Sequence, residues 1–138
     1  MSSRLVVDTN VLLRFFLDDH PTQSAAVRLW LERAFRQRDP ELILVATVIT
    51  EMINTLRQEV PAKTHGQILD VLDALLDMPF TIVDRAIVEA ATVRYRQLRA
   101  RDLEDCLIAA YATALAEGRL ATYDRSLASL PGIVAVAP

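Results

Sequence analysis

Four acidic residues stand beside apolar segments of this sequence: Asp8, Glu51, Asp105 and Asp124. An ionised carboxylate is rarely tolerated in apolar surroundings unless another group pairs with it. If the four converge within about 6 Å, each pair repels by roughly 3 kcal/mol at an effective dielectric constant of about 20. Because no cationic side chain stands beside most of them, a hard divalent cation bound by oxygen ligands is the natural counter-charge.

Each of these acids also has an ordinary structural explanation when it is considered alone. Asp8 and Asp124 could cap the helices that follow them, because Asp is a favoured N-cap residue. Glu51 could lie near a helix N-terminus, where the helix dipole favours negative charge. Asp105 is harder to explain in this way, because apolar or small residues surround it and Asp102 is the better N-cap. Single motifs therefore leave both interpretations open.

Strands and helices are predicted to alternate along the chain. Short apolar runs predict strands at 5–7 (buried), 42–45, 80–83, 120–122 and 133–136. Helical periodicity and cap residues predict helices at 9–17, 22–37, 48–59, 63–77, 85–99 and 103–117. This order indicates a three-layer α/β/α fold with a mostly parallel five-stranded sheet. No linker or repeat interrupts it, so residues 1–138 are predicted to form one domain.

The predicted topology gives the four acids a common place. Ligand sites in such sheets lie outside the carboxyl ends of the strands. Asp8 ends the first strand and Asp124 follows the fourth, while Glu51 is in the first turns of the helix after the second strand. Asp105 begins the helix that leads into the fourth strand. We therefore expect all four carboxylates to reach one edge of the sheet.

Composition indicates a compact protein without a strongly basic surface. The chain has 138 residues, of which 52% are hydrophobic, and a net charge of −3. That charge argues against binding nucleic acid through a general basic field. No apolar run approaches the roughly 20 residues that span a membrane, and the N-terminus shows no signal peptide. A single cysteine, Cys106, excludes an internal disulfide, and the cytoplasm is the expected location.

Particular residues of this chain argue against three other classes of α/β protein. A haloacid-dehalogenase-type phosphatase needs a second acid two residues after the first, where this chain has Asn10. A receiver domain needs a lysine late in the chain, but the only lysine is Lys63. A dinucleotide-binding fold needs a glycine-rich turn after the first strand, and no glycine lies there.

The motifs around the acids resemble those of PIN-domain proteins, and specifically of the VapC-type ribonuclease toxins of toxin–antitoxin pairs. Residues 7–14 (VDTNVLLR) resemble the first motif of that family, and residues 47–51 (TVITE) resemble the second. Residues 102–110 (DLEDCLIAA) resemble the third, and residues 120–125 (LATYDR) the last. The resemblance covers essentially the whole chain, with the acids in the same order and spacing. Cys106, where alanine is usual, is the small departure.

The resemblance implies a metal-dependent endoribonuclease with a PIN-like fold. The four acids would hold Mg²⁺ or Mn²⁺ directly or through water. Thr9, Asn10 and Thr122 would support those ligands or contact phosphate, and Arg14 and Arg125 could bind flanking phosphates. The implied partners are an RNA substrate, a cognate antitoxin and a second copy of the chain in a homodimer.

Two alternatives remain open from the sequence. One is a PIN-domain nuclease that processes RNA outside toxin–antitoxin systems. The other is a PIN-like scaffold that binds without cleaving, although the presence of all four acids weighs against it.

Overall fold

The computed structural model describes residues 3–59, 61–98 and 102–138. Helices and strands alternate in this part of the chain, which divides into two compact units, Met1–Asp84 and Arg85–Pro138. No helix among the described residues has both the length and the apolar character needed to cross a bilayer.

The first unit contains three parallel strands and four helices. The strands are β1 (Arg4–Val6), β2 (Glu41–Leu44) and β3 (Thr81–Ile82), in the spatial order β1-β2-β3. The helices are α1 (Thr9–Leu17), α2 (Pro21–Gln37), α3 (Ala46–Gln58) and α4 (His65–Asp77). The elements match the predicted ones, with α3 starting two residues earlier than expected and α4 two residues later.

The later start of α4 has a local cause. Thr64 accepts a hydrogen bond from the Gln67 backbone N–H, and the Gln67 side chain accepts one from the Thr64 N–H. This capping box satisfies two backbone donors that the first helical turn leaves without partners. The helix therefore begins at His65 rather than at Lys63.

The core of the first unit holds the acid-bearing helices in place. α1 packs on α2 and α3. Leu12 of α1 is fully buried, as are Met52, Ile53 and Leu56 of α3. Burying an aliphatic side chain of this size contributes about 1.5–3 kcal/mol. The packing of α1 on α3 thus fixes the elements that begin at the ends of β1 and β2.

The prediction that residues 5–7 form a buried strand is wrong for two of the three residues. Leu5 and Val6 are 45% and 64% exposed, and only Val7 is buried, at 2%. The reason is that β1 lies at one end of the three-stranded sheet and, among the residues that the structure describes, pairs with β2 alone. An apolar run identifies a strand but does not say how many neighbours it has.

Glu41 links all three strands of this sheet. Its carboxylate accepts hydrogen bonds from Thr81 Oγ1 at 2.8 Å and from Arg4 Nε at 2.9 Å. The Thr81 hydroxyl, and after it Arg4, lowers the pKa of Glu41 below its usual value of 4.5. Because the folded pKa is depressed, the stabilisation is present above pH 4.5 and is lost as the pH falls through the lowered value.

We expect Glu41→Gln to lower the melting temperature slightly at pH 7, with a difference that shrinks as the pH falls below about 4. Thermal unfolding followed by circular dichroism across this range measures the effect. Thr81→Val provides the matched control, because it removes the hydroxyl that lowers the pKa of Glu41 most. In a protein that already carries Thr81→Val, the effect of Glu41→Gln on the melting temperature should depend much less on pH. An equal difference at every pH would contradict this account.

The second unit contains α5 (Arg85–Gln97), α6 (Leu103–Ala116) and α7 (Arg125–Ala128), with the parallel pair β4 (Arg119–Ala121) and β5 (Val134–Val136). α5 packs on α6. The predicted end of α5 at Arg99 lies outside the described residues. The α/β class and the parallel pairing are confirmed, with the strands distributed as a three-stranded and a two-stranded sheet.

The turn from α6 into β4 depends on a glycine. Glu117 adopts a left-handed conformation at the helix end, and Gly118 follows with φ of 84°. A Cβ atom at Gly118 would collide with the backbone carbonyl oxygen of Gly132. Only glycine fits this close approach of two backbone segments.

Candidate metal site

Thr9 connects two of the four predicted acids. Its backbone N–H donates to Asp8 Oδ1 at 2.8 Å, and its hydroxyl Oγ1 donates to Glu51 Oε2 at 3.0 Å. Thr9 is buried, at 3% exposure, whereas Asp8 and Glu51 are exposed. A buried threonine thus holds two solvent-facing carboxylates, one through its backbone N–H and the other through its hydroxyl.

The fold explains why these two acids meet. Asp8 is the N-cap of α1 and comes two residues after Val6, where β1 ends beside β2. Glu51 is the sixth residue of α3, the helix that follows β2. The parallel pairing of β1 with β2 brings their carboxyl ends to the same edge, so α1 and α3 start close together.

The helix-dipole explanation for Glu51 is weakened by the observed helix boundary. α3 begins at Ala46, which places Glu51 beyond the first turn. The dipole effect falls off within that turn. The contact with Thr9, 42 residues earlier in the chain, accounts for the position of Glu51 instead.

The two carboxylates retain oxygen atoms that could bind a cation. Asp8 uses Oδ1 and Glu51 uses Oε2 in the bonds to Thr9, and neither Asp8 Oδ2 nor Glu51 Oε1 has a hydrogen-bond partner among the described residues. Exposed carboxylate oxygens are the ligands that Mg²⁺ and Mn²⁺ prefer. The donor set in the first unit therefore fits such an ion chemically.

The other two predicted acids lie in the second unit, in different surroundings. Asp105 is in the first turn of α6 and is half-buried. Asp124 is the N-cap of α7, and its Oδ1 accepts hydrogen bonds from the Ser126 N–H, the Ser126 hydroxyl and the Leu127 N–H. Asp102 is the N-cap of α6, as predicted.

Asp124 therefore performs the capping function that the sequence left open for it. Its neighbour Thr122 accepts a hydrogen bond from the Asp124 N–H through Oγ1, at 2.9 Å. That contact orders the turn between β4 and α7. The predicted role of Thr122 in supporting a metal ligand or contacting phosphate stays a prediction, because this contact is with the backbone of Asp124 and not with its carboxylate.

Within each unit, the described residues include no group of three or more His, Cys, Asp or Glu side chains that could hold a metal ion. Each unit contributes two of the four predicted acids: Asp8 and Glu51 in the first, Asp105 and Asp124 in the second. A single site formed by all four remains a prediction.

The sequence missed one feature next to this pair of acids. Asn10, predicted to contact phosphate, lines an open groove between α1 and α2 together with Arg14 and Gln23. Gln23 was not predicted to have a functional role, because it lies in an amphipathic helix among other polar residues. No local sequence signal distinguishes it from them.

Comparison with known proteins identifies the family. The family model described as "PIN domain" matches residues 5–133, nearly the whole chain. The chain belongs to the PIN-domain family, whose members are typically metal-dependent nucleases. The search of curated proteins gave no match. Family membership agrees with the predicted α/β fold class and with the nuclease character implied by the motifs.

Proposed function

We propose that this chain is a Mg²⁺- or Mn²⁺-dependent endoribonuclease that hydrolyses RNA phosphodiester bonds. The observation that carries the proposal is the Asp8–Thr9–Glu51 arrangement, two exposed carboxylates oriented by one buried threonine. Membership of the PIN-domain family supports it. The proposed metal ligands are Asp8, Glu51, Asp105 and Asp124, direct or through water, in a single nuclease domain.

Each side chain has a defined part in this proposal. The bound ion would neutralise charge on the scissile phosphate and lower the pKa of an attacking water. Thr9 holds Glu51 in orientation through its hydroxyl, so that Oε1 stays directed away from the bond to Thr9. Asp8 keeps its position through the cap of α1. The chain then needs no histidine or lysine as general base.

Cleavage of a mixed RNA pool tests this function. We expect the purified protein to cut with Mg²⁺ or Mn²⁺ and to lose this activity when EDTA is added. Readdition of either ion should restore it. Cleavage that survives EDTA would remove the metal from the proposal, and absence of cleavage with both ions would favour the non-cleaving scaffold.

We also propose, on the resemblance of the motifs, that the nuclease is a VapC-type toxin. It would act in the cytoplasm as a homodimer, and a cognate antitoxin would inhibit it. Expression of the chain alone should arrest bacterial growth, and co-expression of a protein encoded by a neighbouring gene should relieve the arrest. Normal growth during expression of an active nuclease would favour the alternative, an RNA-processing enzyme outside such a pair.

A further inference from the structure

An open groove lies between α1 and α2. Asn10, Val11 and Arg14 of α1 line one side, and Gln23, Ala26 and Val27 of α2 line the other. Its volume is about 520 Å³, within the range of roughly 300–1,000 Å³ common for small-molecule sites. The groove begins two residues after Asp8 and so starts at the acid-bearing end of α1.

Arg14 is held in a fixed orientation in this groove. Its Nε donates to Gln23 Oε1 at 2.7 Å, and its Nη1 donates to Asp19 Oδ1 at 3.4 Å. The Nη2 group makes no hydrogen bond to any described residue. Two partners thus orient the guanidinium while leaving donor capacity for a ligand.

Asp19 does not cancel the positive charge of Arg14. The pair is 3.4 Å apart, and the two side chains are 36% and 49% exposed. Ion pairs of this kind are weak in water. A phosphate that offers two oxygens to the guanidinium fork makes the stronger, charge-assisted contact.

We infer that this groove binds one nucleotide of the RNA substrate, next to the phosphate that is cut. Arg14 would contact the phosphate of that nucleotide, with Gln23 as a positioning residue behind it. The amide of Asn10, which has no hydrogen-bond partner among the described residues, offers a donor and an acceptor to the base or ribose. Val11, Ala26 and Val27 supply apolar contact surface. This inference rests on the proposed function for its choice of RNA.

Arg14 lies six residues after Asp8, which is about 9 Å along the axis of α1. One strand can therefore follow the groove from the acids to Arg14, as strands do in positively charged grooves of other proteins that bind single-stranded nucleic acid. The charge is local, which is compatible with the overall negative charge of the chain.

The test compares Arg14→Gln with the control Arg28→Gln. Arg28 is also half-exposed and paired with an aspartate, Asp18 at 3.3 Å, but it does not line the groove. The probe is a single-stranded RNA octamer in EDTA, so binding is measured without cleavage. We expect Arg14→Gln to weaken binding roughly 10-fold and Arg28→Gln to leave it nearly unchanged.

Salt dependence identifies the phosphate contact. The slope of log Kd against log salt concentration should fall by about 0.7 in Arg14→Gln, the amount expected for one single-stranded phosphate contact. Ala26→Trp, which fills the groove without changing charge, should weaken binding while leaving that slope unchanged. Circular dichroism confirms that each variant is folded before binding is measured.

The outcomes separate this inference from the proposed function. Equal RNA affinity in Arg14→Gln and Arg28→Gln overturns the inference, even if the wild-type protein cleaves RNA. If Arg14→Gln binds RNA more weakly but the wild-type protein does not cleave RNA, the inference that the groove binds RNA is supported. The proposed nuclease function is then overturned. Weaker binding with an unchanged salt slope also overturns the inference, because the groove would then be a surface for another kind of partner.

Discussion

Asp8→Asn should reduce RNA cleavage by more than about 100-fold while the protein remains folded. Asparagine keeps a side-chain oxygen that can accept the Thr9 N–H and is itself a favoured N-cap residue, so α1 should still begin at Thr9. The substitution removes the negative charge that a divalent cation requires. Even changes behind a metal ligand commonly cost roughly 10- to 100-fold, so loss of a proposed ligand should cost more.

Asp105→Asn should have a comparable effect, and Asp70→Asn provides the matched control. Asp70 is exposed on α4 in the first unit, and it is not among the acids of the proposed site. Cleavage rates are measured with Mn²⁺, and Mn²⁺ binding is measured by calorimetry on the same proteins. Wild-type rates in both Asp8→Asn and Asp105→Asn would exclude the proposed metal site.

Thr9→Val should reduce cleavage by roughly 10- to 100-fold and weaken Mn²⁺ binding. Valine matches the shape of threonine at this buried position but lacks the hydroxyl that donates to Glu51. Glu51 would then lose the contact that orients its carboxylate. Because the side chain of Glu51 is exposed, water can replace the lost donor, and the free energy of unfolding should change little.

Thr9→Ser is the rescue variant, because serine restores the hydroxyl with one methyl group fewer. We expect its cleavage rate to lie close to that of the wild-type protein. A merely structural role for Thr9 would give the reverse order, with the smaller serine more damaging than valine in a buried position. The order of the two variants therefore decides between orientation of Glu51 and packing.

The sequence predicts helices and strands well where local chemistry determines them. The apolar runs at 5–7 and 42–45 identify two parallel strands, and the periodic apolar residues of 63–77 identify α4. The sequence wrongly predicts that Leu5 and Val6 are buried, because the number of neighbours of a strand depends on the order of strands in the sheet. Periodicity along the chain contains no information on that order.

For the site as well, the features set by local sequence were predictable and those set by tertiary packing were not. The side-chain types around Asp8 and Glu51 suggested metal chemistry, and strand pairing explains how the two meet at Thr9. The Arg14–Gln23 contact was not predictable, because it depends on how α1 packs against α2. Contacts between helices are set by tertiary packing, which a single sequence does not reveal.

The hydrogen bonds of the acids also determine which of them a related protein without nuclease activity would keep for stability. Asp124 accepts three hydrogen bonds at the start of α7, so a descendant that had lost catalysis would still gain stability by keeping it. Asp8 retains a similar, smaller benefit at the start of α1. Glu51 caps no helix, and its contact with Thr9 joins two helices, α1 and α3, that already pack on each other. Under the proposed function, loss of Glu51 together with Thr9 would therefore be the earliest mark of an inactive relative.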